Sequence, residues 1–253
     1  MVSFGSKPDV TAARPTSLVE RLDKKFYPEN KTSNWDDLLF RQLVLDNIDD
    51  GITILDVGAG VGRVKELNFR DYAKKVIGVD LDERIESNSG LDEFYICGGE
   101  NLPDVLKDID VALSVNVLEH LENPEQVFRE LHRTLKPGGK FFFKTPNTGH
   151  YIALISRLTP LKFHKYYNRL RGRAMDDTFS TYYRANSLRQ IRALAAKSGF
   201  DVGEVRRVEG RPEYLRINPV FYLFGIAYER LVNFSEVFSP FRAVLLGVLV
   251  KKK

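Results

Sequence analysis

The sequence predicts an α/β protein built on a mostly parallel sheet. Short apolar runs rich in β-branched residues alternate with helix-like segments, and glycine-rich turns separate them. The 253 residues are 43% apolar and 28% charged, which is the composition of a globular protein with a sizeable core. A single cysteine, Cys97, excludes a disulfide framework and a cysteine-built zinc site.

We expect one domain with additions. Residues 1–50 are predicted to form an N-terminal arm and a cap helix, and residues 51–253 the main domain, with insertions at 147–185 and 211–240. Residues 1–17 contain no apolar signal segment, so the sequence favours a cytoplasmic protein. No stretch approaches the roughly 18–20 apolar residues that a membrane-spanning helix needs.

The charge is distributed unevenly along the chain. Residues 147–253 hold 19 Lys and Arg and 8 Asp and Glu, a net charge of +11, so the total of +4 leaves −7 for residues 1–146. A basic half favours an anionic partner such as a phosphate, a nucleic acid or a membrane surface. The alternative is an ordinary solvated face.

The apolar pattern predicts seven strands and several helices. The strands are expected at 52–57, 76–80, 94–97, 110–115, 140–145, 200–208 and 241–250. Helices are expected after an N-cap at Asn34, over residues 63–70, after Asn123-Pro124, and from Ser187 to Ser198. Strands that alternate with helices in this way form parallel sheets with right-handed crossovers.

A glycine-rich turn follows the first predicted strand, with the pattern Asp56-x-Gly58-x-Gly60-x-Gly62. Glycines let the backbone turn tightly and approach a ligand closely, and the start of a following helix would offer N–H groups to an anion. Asp80 ends the next strand, where a carboxylate can accept both hydroxyls of a ribose. The pattern therefore predicts a nucleoside-containing ligand.

Four segments resemble the motifs of the class I S-adenosylmethionine-dependent methyltransferases. Residues 54–63 resemble their motif I, and Val79-Asp80 resembles the second motif. Residues 116–121 resemble the exit of strand four in the small-molecule branch, and residues 135–140 the turn before strand five. The resemblance covers about residues 50–150, with the motifs in the family's order and spacing.

The resemblance implies a Rossmann-like, seven-stranded, mostly parallel sheet with helices on both faces, an antiparallel last strand, and helical cap or lid insertions. It implies S-adenosylmethionine as cofactor and S-adenosylhomocysteine as product. Asp56 would organise the glycine loop, Asp80 would bind the ribose, and Leu81 would pack on the adenine. The cofactor-binding residues it implies are Asp56, Gly58, Ala59, Gly60, Gly62, Arg63, Asp80, Leu81, Gly99, Glu100, Asn101, Asn116 and Val117.

One position departs from the family pattern. The family often has an acid near Gly98 for the adenine amine, whereas this sequence reads Cys97-Gly98-Gly99-Glu100. Either Glu100 or a backbone group replaces that acid, or the contact is absent.

An NAD-dependent dehydrogenase is the main competing interpretation. Its fingerprint places the third glycine three positions after the second. This chain has Arg63 at that position, and its third glycine, Gly62, comes one residue too early. The acid at Asp56, inside the strand before the loop, also favours the methyltransferase.

Transfer of a methyl group from a sulfonium needs alignment above all, and it needs a base only when the acceptor must lose a proton. His120 and His150 follow the carboxyl ends of the fourth and fifth strands, and we predict that they are the catalytic bases. The predicted substrate-binding residues are Tyr151, His164, Tyr182 and Tyr183. We expect no metal.

The predicted reaction is O-methylation of a small molecule, with phosphorylated, glycosidic and lipid-linked acceptors left open. The sequence lacks the Asn/Asp-Pro-Pro-aromatic signature and the cysteine nucleophile of nucleic-acid enzymes, so a nucleic-acid acceptor is disfavoured. An RNA methyltransferase that uses the basic half, and a non-catalytic cofactor-binding protein, are the alternatives.

Residues 220–228 are apolar on every face of a helix. We expect this segment to be buried against the lid, against a second subunit or in another interface. The sequence thus leaves a homodimer and a peripheral membrane contact open.

Overall fold

The computed structural model of the protein describes residues 17–28, 34–153 and 180–252. Seven strands in this part of the chain form one sheet. They are β1 (Thr53–Val57), β2 (Lys75–Asp80), β3 (Glu93–Ile96), β4 (Ile109–Val115), β5 (Leu135–Pro146), β6 (Phe200–Val208) and β7 (Val244–Lys251).

The described helices are α1 (Ser17–Phe26), α2 (Trp35–Leu45), α3 (Pro124–Thr134), α4 (Leu188–Lys197) and α5 (Pro219–Phe234). The predicted caps of α3 and α4 are confirmed, because the side chains of Asn123 and Ser187 accept hydrogen bonds from backbone N–H groups of the first turn. Asn34 precedes α2 but makes no side-chain cap bond. Its amide donates to the Glu66 carboxylate at 3.3 Å.

The strand order is β3-β2-β1-β4-β5-β7-β6. Strands β1 to β5 pair in parallel, and β7 is antiparallel to both β5 and β6. The predicted mostly parallel sheet with an antiparallel last strand is therefore confirmed. The order reverses between β1 and β4, and open α/β sheets bind ligands at the carboxyl ends of the strands at such a point.

The sheet separates two apolar cores, and successive side chains of β5 point into one or the other. Phe141 and Phe143 belong to the cluster that includes α3 and α4, whereas Phe142 belongs to the cluster that includes Phe40 and Val44 of α2. Successive side chains of a strand point to opposite faces, so a strand that is buried on both faces reads as a continuous apolar run. Helices cover both faces, as predicted.

The predicted helix over residues 63–70 is wrong. Two short 3-10 turns, Lys65–Leu67 and Arg70–Tyr72, occupy this segment. Irregular backbone consequently follows the glycine loop, and within residues 61–74 no α-helix begins.

Side chains that bind the backbone of this segment explain the missing helix. The Arg41 guanidinium of α2 donates to the carbonyl oxygens of Glu66 and Asn68, each at 2.8 Å, and lies over the Phe69 ring. The Asn68 side chain accepts a hydrogen bond from the N–H of Arg70 at 2.9 Å. Such bonds compete with the i to i−4 bonds of a helix.

A buried ion pair fixes α2 to the sheet. The Lys144 ammonium of β5 is buried, lies 2.7 Å from the Asp36 carboxylate and also binds Asp37. Burial raises the pKa of Asp37, although the charge of Lys144 opposes this shift. Asp37 also lines a cavity at the carboxyl ends of β1, β2 and β4, so this ion pair positions part of the cavity wall.

We expect Lys144→Met to lower the free energy of unfolding by about 3 kcal/mol or more, because it leaves the buried Asp37 carboxylate without its partner. Urea titration followed by circular dichroism measures this change. Lys136→Met is the matched control, since Lys136 pairs with Asp110 at 2.8 Å near the surface and its loss should cost less than about 1 kcal/mol. Equal losses in the two variants would contradict the structural role of Lys144.

Candidate active site

A cavity of about 940 Å³ opens at the carboxyl ends of β1, β2 and β4. Except for Asn101, all the predicted cofactor residues line it. His120 is the only predicted base among its lining residues in the described part of the chain. Among the wall residues that sequence reasoning missed are Asp37, Arg41 and Asn88.

The glycine loop is anchored to the end of β2. The backbone N–H groups of Gly58 and Ala59 donate to the carbonyl oxygen of Val79, at 2.8 and 3.3 Å. The N–H of Gly60 donates to the Asp80 carboxylate at 2.8 Å. Three consecutive amides of the loop are thus held by two consecutive residues of the neighbouring strand.

Gly58 must be a glycine for two reasons. Its φ of +78° lies in the left-handed region that other residues adopt only with strain. A Cβ at this position would lie 2.2 Å from Cγ2 of Val117, far inside a van der Waals contact. The loop therefore packs directly on the segment that leaves β4.

Asn88 holds the other side of the loop. Its side-chain amide donates to the carbonyl oxygens of Ala59 and Gly60, at 3.2 and 3.1 Å, and its side-chain oxygen accepts from the N–H of Gly90. A Cβ on Gly62 would lie 2.3 Å from that oxygen. Asn88 belongs to no motif of the sequence, so only the tertiary structure reveals this contact.

Asp80 has acceptor capacity left for a ligand. One carboxylate oxygen accepts from the N–H of Gly60, and the other accepts from the N–H of Asp82 at 2.9 Å. An ionised carboxylate offers about four acceptor positions, so about two remain. The backbone bonds orient the group, and the remaining positions suit a pair of hydroxyls.

Asp56 ends up on the cavity wall, close to Asp80. Burial, reinforced by the charge of Asp80, raises the pKa of Asp56 to about 7. The part of its surface that solvent reaches faces the cavity. A cationic ligand group at this place would favour the ionised carboxylate.

The exit of β4 is held in an unusual backbone conformation. Asn116 has a φ of +55°, and its N–H donates to the carbonyl oxygen of Lys144 at 2.8 Å. Asparagine tolerates this left-handed region better than most residues, and such conformations concentrate at functional sites. The turn brings Asn116 and Val117 onto the cavity wall.

The far end of the cavity combines an exposed apolar side chain with an acid. Leu81 is 72% exposed and lines the cavity. A Cβ on Gly98 would lie 2.9 Å from the Glu100 carboxylate, so this carboxylate folds over Gly98. The Glu100 carboxylate therefore lies next to Leu81 at this end of the cavity wall.

His120 lies in a 3-10 turn, Leu118–His120, that follows β4. Its Nδ1 lies 2.8 Å from the carbonyl oxygen of Ser180, and a hydrogen bond there requires the proton on Nδ1. The neutral ring then keeps its lone pair on Nε2, which lies 4.0 Å from the Glu119 carboxylate.

Glu119 is a buried carboxyl that sequence reasoning missed, although it adjoins His120 in the chain. Its carboxylate accepts from the Thr145 hydroxyl at 3.1 Å, and the Asn186 amide donates to that hydroxyl at 2.6 Å. Burial raises the pKa of Glu119. The turn after β4 thus places a buried carboxyl with a raised pKa beside the His120 ring.

Tyr182 and Tyr183 lie against the same turn. Their backbone N–H groups donate to the carbonyl oxygen of Glu119, at 2.8 and 3.2 Å. Neither residue lines the cavity. Their role in substrate binding stays a prediction.

The structure places His150 and Tyr151 apart from the cavity. His150 is buried, its Nε2 lies 3.3 Å from the Glu209 carboxylate, and its ring centroid lies 4.1 Å from that of Tyr151. Tyr228 of α5 packs edge-on against both rings. Because neither residue lines the cavity, its position does not support the catalytic role predicted for His150 or the substrate-binding role predicted for Tyr151. His164, the other predicted substrate-binding histidine, lies outside the described residues.

The residues of the cavity fit S-adenosylmethionine. A volume of about 940 Å³ is at the upper end for a small-molecule site, so cofactor and acceptor can share it. The carboxylates of Asp56 and Asp80 match an ammonium group and ribose hydroxyls, and the glycines leave the backbone open to close approach. Among the residues that the structure describes, no cluster of three His, Cys, Asp or Glu is placed to bind a metal.

Comparison with known proteins supports this fit. A family model described as a methyltransferase domain matches residues 27–205, which is more than half of the chain. A mitochondrial ubiquinone biosynthesis O-methyltransferase of Dictyostelium discoideum is 26% identical over 164 residues, 52% of this chain and 49% of that protein. A ubiquinone biosynthesis O-methyltransferase of Pseudomonas paraeruginosa is 33% identical over 106 residues, 38% of this chain and 45% of that protein. The chain thus matches about half the length of these relatives.

Solved structures show the same fold. A putative methyltransferase of Bacillus halodurans superposes with a TM-score of 0.56 at 16% identity, over 86% of this chain and all of that one. A phosphoethanolamine N-methyltransferase of Haemonchus contortus, in complex with S-adenosylhomocysteine, gives 0.53 at 18% identity, over 94% of this chain and 61% of that one. At these identities the likeness concerns the fold alone. The matched family model, on this fold, shows that the chain belongs to the class I S-adenosylmethionine-dependent methyltransferases.

Proposed function

We propose that the protein binds S-adenosylmethionine in this cavity and methylates a hydroxyl group of a small molecule. The observation that carries the proposal is the position of Asp80, whose carboxylate is oriented by Gly60 and Asp82 at the edge of the glycine loop. A structural carboxylate would be expected to use its acceptor positions within the protein, whereas Asp80 keeps about half of them for the cavity.

Each part of the cavity wall suits one part of the cofactor. Asp80 would accept hydrogen bonds from the ribose hydroxyls, and Leu81 and Glu100 would contact the adenine. Asp56 would face the ammonium group, and the wall formed by Asn116 and Val117 would border the sulfonium. When bound, the cofactor supplies a methyl group on a good leaving group, so the protein mainly has to align the acceptor and exclude water.

His120 is the residue best placed to accept a proton from an acceptor hydroxyl. It lines the cavity, and its bond to the Ser180 carbonyl oxygen orients the ring with the lone pair on Nε2. The Glu119 carboxyl lies 4.0 Å from Nε2 and, in its ionised form, would stabilise the ring once that nitrogen is protonated. The group that orients the ring here is the backbone carbonyl of Ser180, bound at Nδ1.

The choice of an oxygen acceptor also rests on the curated relatives, which are named O-methyltransferases. Transfer to a hydroxyl is the reaction that needs a base, and the cavity provides one in His120. Phosphorylated, glycosidic and lipid-linked hydroxyl compounds belong in the acceptor screen, because residues 147–253 carry a net charge of +11, from 19 Lys and Arg against 8 Asp and Glu.

Asp80→Ala tests the cofactor site. Loss of its charge-assisted hydrogen bonds should weaken binding of S-adenosylhomocysteine by about 1–3 kcal/mol, which is roughly a 5- to 150-fold rise in Kd. Titration calorimetry measures it. Asp110→Ala is the matched control, because Asp110 also accepts from a backbone N–H, that of Thr53 at 2.9 Å, but lies at the amino end of β4. Unchanged affinity in Asp80→Ala would refute the ribose assignment.

Cofactor affinity should rise with pH. Below about pH 7 Asp56 is mostly neutral, because burial raises its pKa to about 7. An ammonium group favours the carboxylate, so binding of S-adenosylhomocysteine should release a proton and tighten as pH increases through about 7. Calorimetry in buffers of different ionisation enthalpy counts the released proton.

Asp56→Asn is the control for this effect, since a carboxamide does not titrate and the pH dependence should disappear. The free energy of unfolding of the cofactor-free protein should depend on pH in the opposite sense to the cofactor affinity. Between the ordinary value of 3.8 and about 7 the folded state holds a proton that the unfolded state has lost, so the stability contributed by Asp56 falls as pH rises. A wild-type affinity that is flat across this range would contradict the ammonium contact.

His120→Ala should slow methyl transfer by about 100-fold or more while leaving the Kd for S-adenosylhomocysteine within about twofold, as expected for loss of a general base. Release of S-adenosylhomocysteine with a panel of phenolic and alcoholic acceptors measures turnover. His150→Ala is the matched control, because His150 lies outside the cavity. If both variants lose turnover equally, or if His120→Ala loses none, the assignment of His120 as the base is wrong.

A further inference from the structure

Helix α5 carries large apolar side chains on the side that faces solvent. At 100° per residue these side chains fall within roughly 100° of the helix circumference. We call this set the apolar arc, and it comprises Val220, Leu223, Phe224, Ala227, Leu231 and Phe234. In the part of the chain that the structure describes, the opposite side of the helix is buried, and the predicted lid at 147–185 lies mostly outside the described residues.

That opposite side already anchors α5 to the protein. Tyr222 and Ile226 pack with Val19 and Tyr27 at the α1 contact, and the Tyr27 hydroxyl donates to the Glu229 carboxylate at 3.1 Å. Burial and the neighbouring Glu229 charge raise the pKa of Tyr27, so this hydroxyl stays a donor at physiological pH. The helix is therefore held without any contribution from the apolar arc.

Four aromatic rings on α5 and in the turn after it are half exposed or more. Phe224 is 68% and Phe234 84% exposed, and Phe221 and Phe241 beside them are 53% and 50% exposed. At about 200 Å² for a full aromatic side chain, these four rings alone leave about 500 Å² of apolar surface in solvent. This equals the largest patch of a typical monomer, and such patches mark interaction sites.

The charges of α5 are arranged for an anionic partner. Its only charged residues are Glu229 and Arg230. Glu229 faces inward, where the Asn233 amide also donates to it at 2.7 Å. Arg230 lies at the edge of the apolar arc, pairs with the Glu229 carboxylate at 3.4 Å and donates to the carbonyl oxygen of Phe26 at 3.1 Å. The exposed side of α5 thus carries one cation, which is paired on its inner side, and no exposed acid.

Helix α1 extends this positive edge. It runs beside the Arg230 edge of α5, and its solvent side exposes Arg21, Lys24 and Lys25 together with one acid, Glu20. An aromatic and aliphatic surface with a cationic border is the pattern of helices that lie in the headgroup region of a bilayer.

We propose that the apolar arc of α5 docks the protein on the surface of an anionic lipid bilayer, with Arg230 and the cationic side of α1 against the headgroups. The helix has 16 residues, so it offers a contact about 24 Å long if it lies flat. Within the part of the chain that the structure describes, no helix is long and apolar enough to cross a bilayer, which fits contact with one leaflet.

Charge decides between a bilayer and a second copy of this chain. Two copies that paired through their apolar arcs would bring both cationic sides of α1, with Arg21, Lys24 and Lys25, towards one interface, and α5 exposes no acid to meet them. An anionic bilayer neutralises the same charges, each contributing attraction near the surface. The docking does not depend on methyl transfer, so its test needs no acceptor.

The test is co-sedimentation of the full chain with vesicles. We expect binding to vesicles of phosphatidylcholine mixed with phosphatidylglycerol, and binding at least about tenfold weaker to phosphatidylcholine alone. Phe224→Glu combined with Leu231→Glu should reduce binding to the anionic vesicles at least about tenfold. Val105→Glu is the matched control, because Val105 is also largely exposed but lies outside α5, and it should bind as the wild type does.

A second pair of changes, Lys24→Gln with Lys25→Gln, should reduce the preference for anionic vesicles without adding charge to the apolar arc. Circular dichroism and urea midpoints verify that every variant is folded. Wild-type protein that stays in the supernatant, or a double glutamate variant that sediments as well as wild type, would overturn the proposal. Light scattering that shows a wild-type dimer, and a monomer for the double glutamate variant, would instead assign the arc to a second copy.

Discussion

The hydrogen bonds between the end of β2 and the glycine loop are the constraint on which the rest of the site depends. The carbonyl oxygen of Val79 accepts hydrogen bonds from the N–H groups of Gly58 and Ala59. The Asp80 carboxylate accepts one from the N–H of Gly60. In a fold where a helix usually continues the loop, this chain has irregular backbone, and the amide of Asn88 secures the other side. The loop is thus positioned by neighbours across the sheet rather than by the chain that follows it.

The same constraint sets the electrostatics of the cavity. Because Asp80 is fixed beside the loop, Asp56 is left in a desolvated position near a second carboxylate, and its pKa rises to about 7. A buried acid that is half ionised near neutral pH costs the fold little when protonated and attracts a cation when ionised. At the exit of β4, burial shifts the pKa of Glu119 in the same direction, next to His120. Acidic groups therefore gather at this edge of the sheet, although the second part of the chain is basic.

The segment between β6 and β7 serves a different surface. Helix α5 uses Tyr222, Ile226 and Glu229 to pack on α1, buries Val232 as well, and exposes the apolar arc to solvent. Tyr228 links the helix to His150, which follows β5, so α5 is connected to the same edge of the sheet as the cavity.

The sequence by itself determined the strands, their parallel order and the loop residues, because periodicity, glycine spacing and an acid at a strand end are local signals. It also placed Asp80 and His120 on the cavity wall, since both follow carboxyl ends of parallel strands. Only the tertiary structure decided the rest. Residues 63–70 form no α-helix because Arg41, a residue distant in sequence, binds the backbone of this segment. His150 lies beside Glu209, which follows β6 and which no local pattern relates to it. The hydrogen bonds of Asn88 to the glycine loop and the exposure of one side of α5 also follow from tertiary packing. Packing brings together residues that are far apart in the chain, so no periodic pattern in the sequence predicts these contacts.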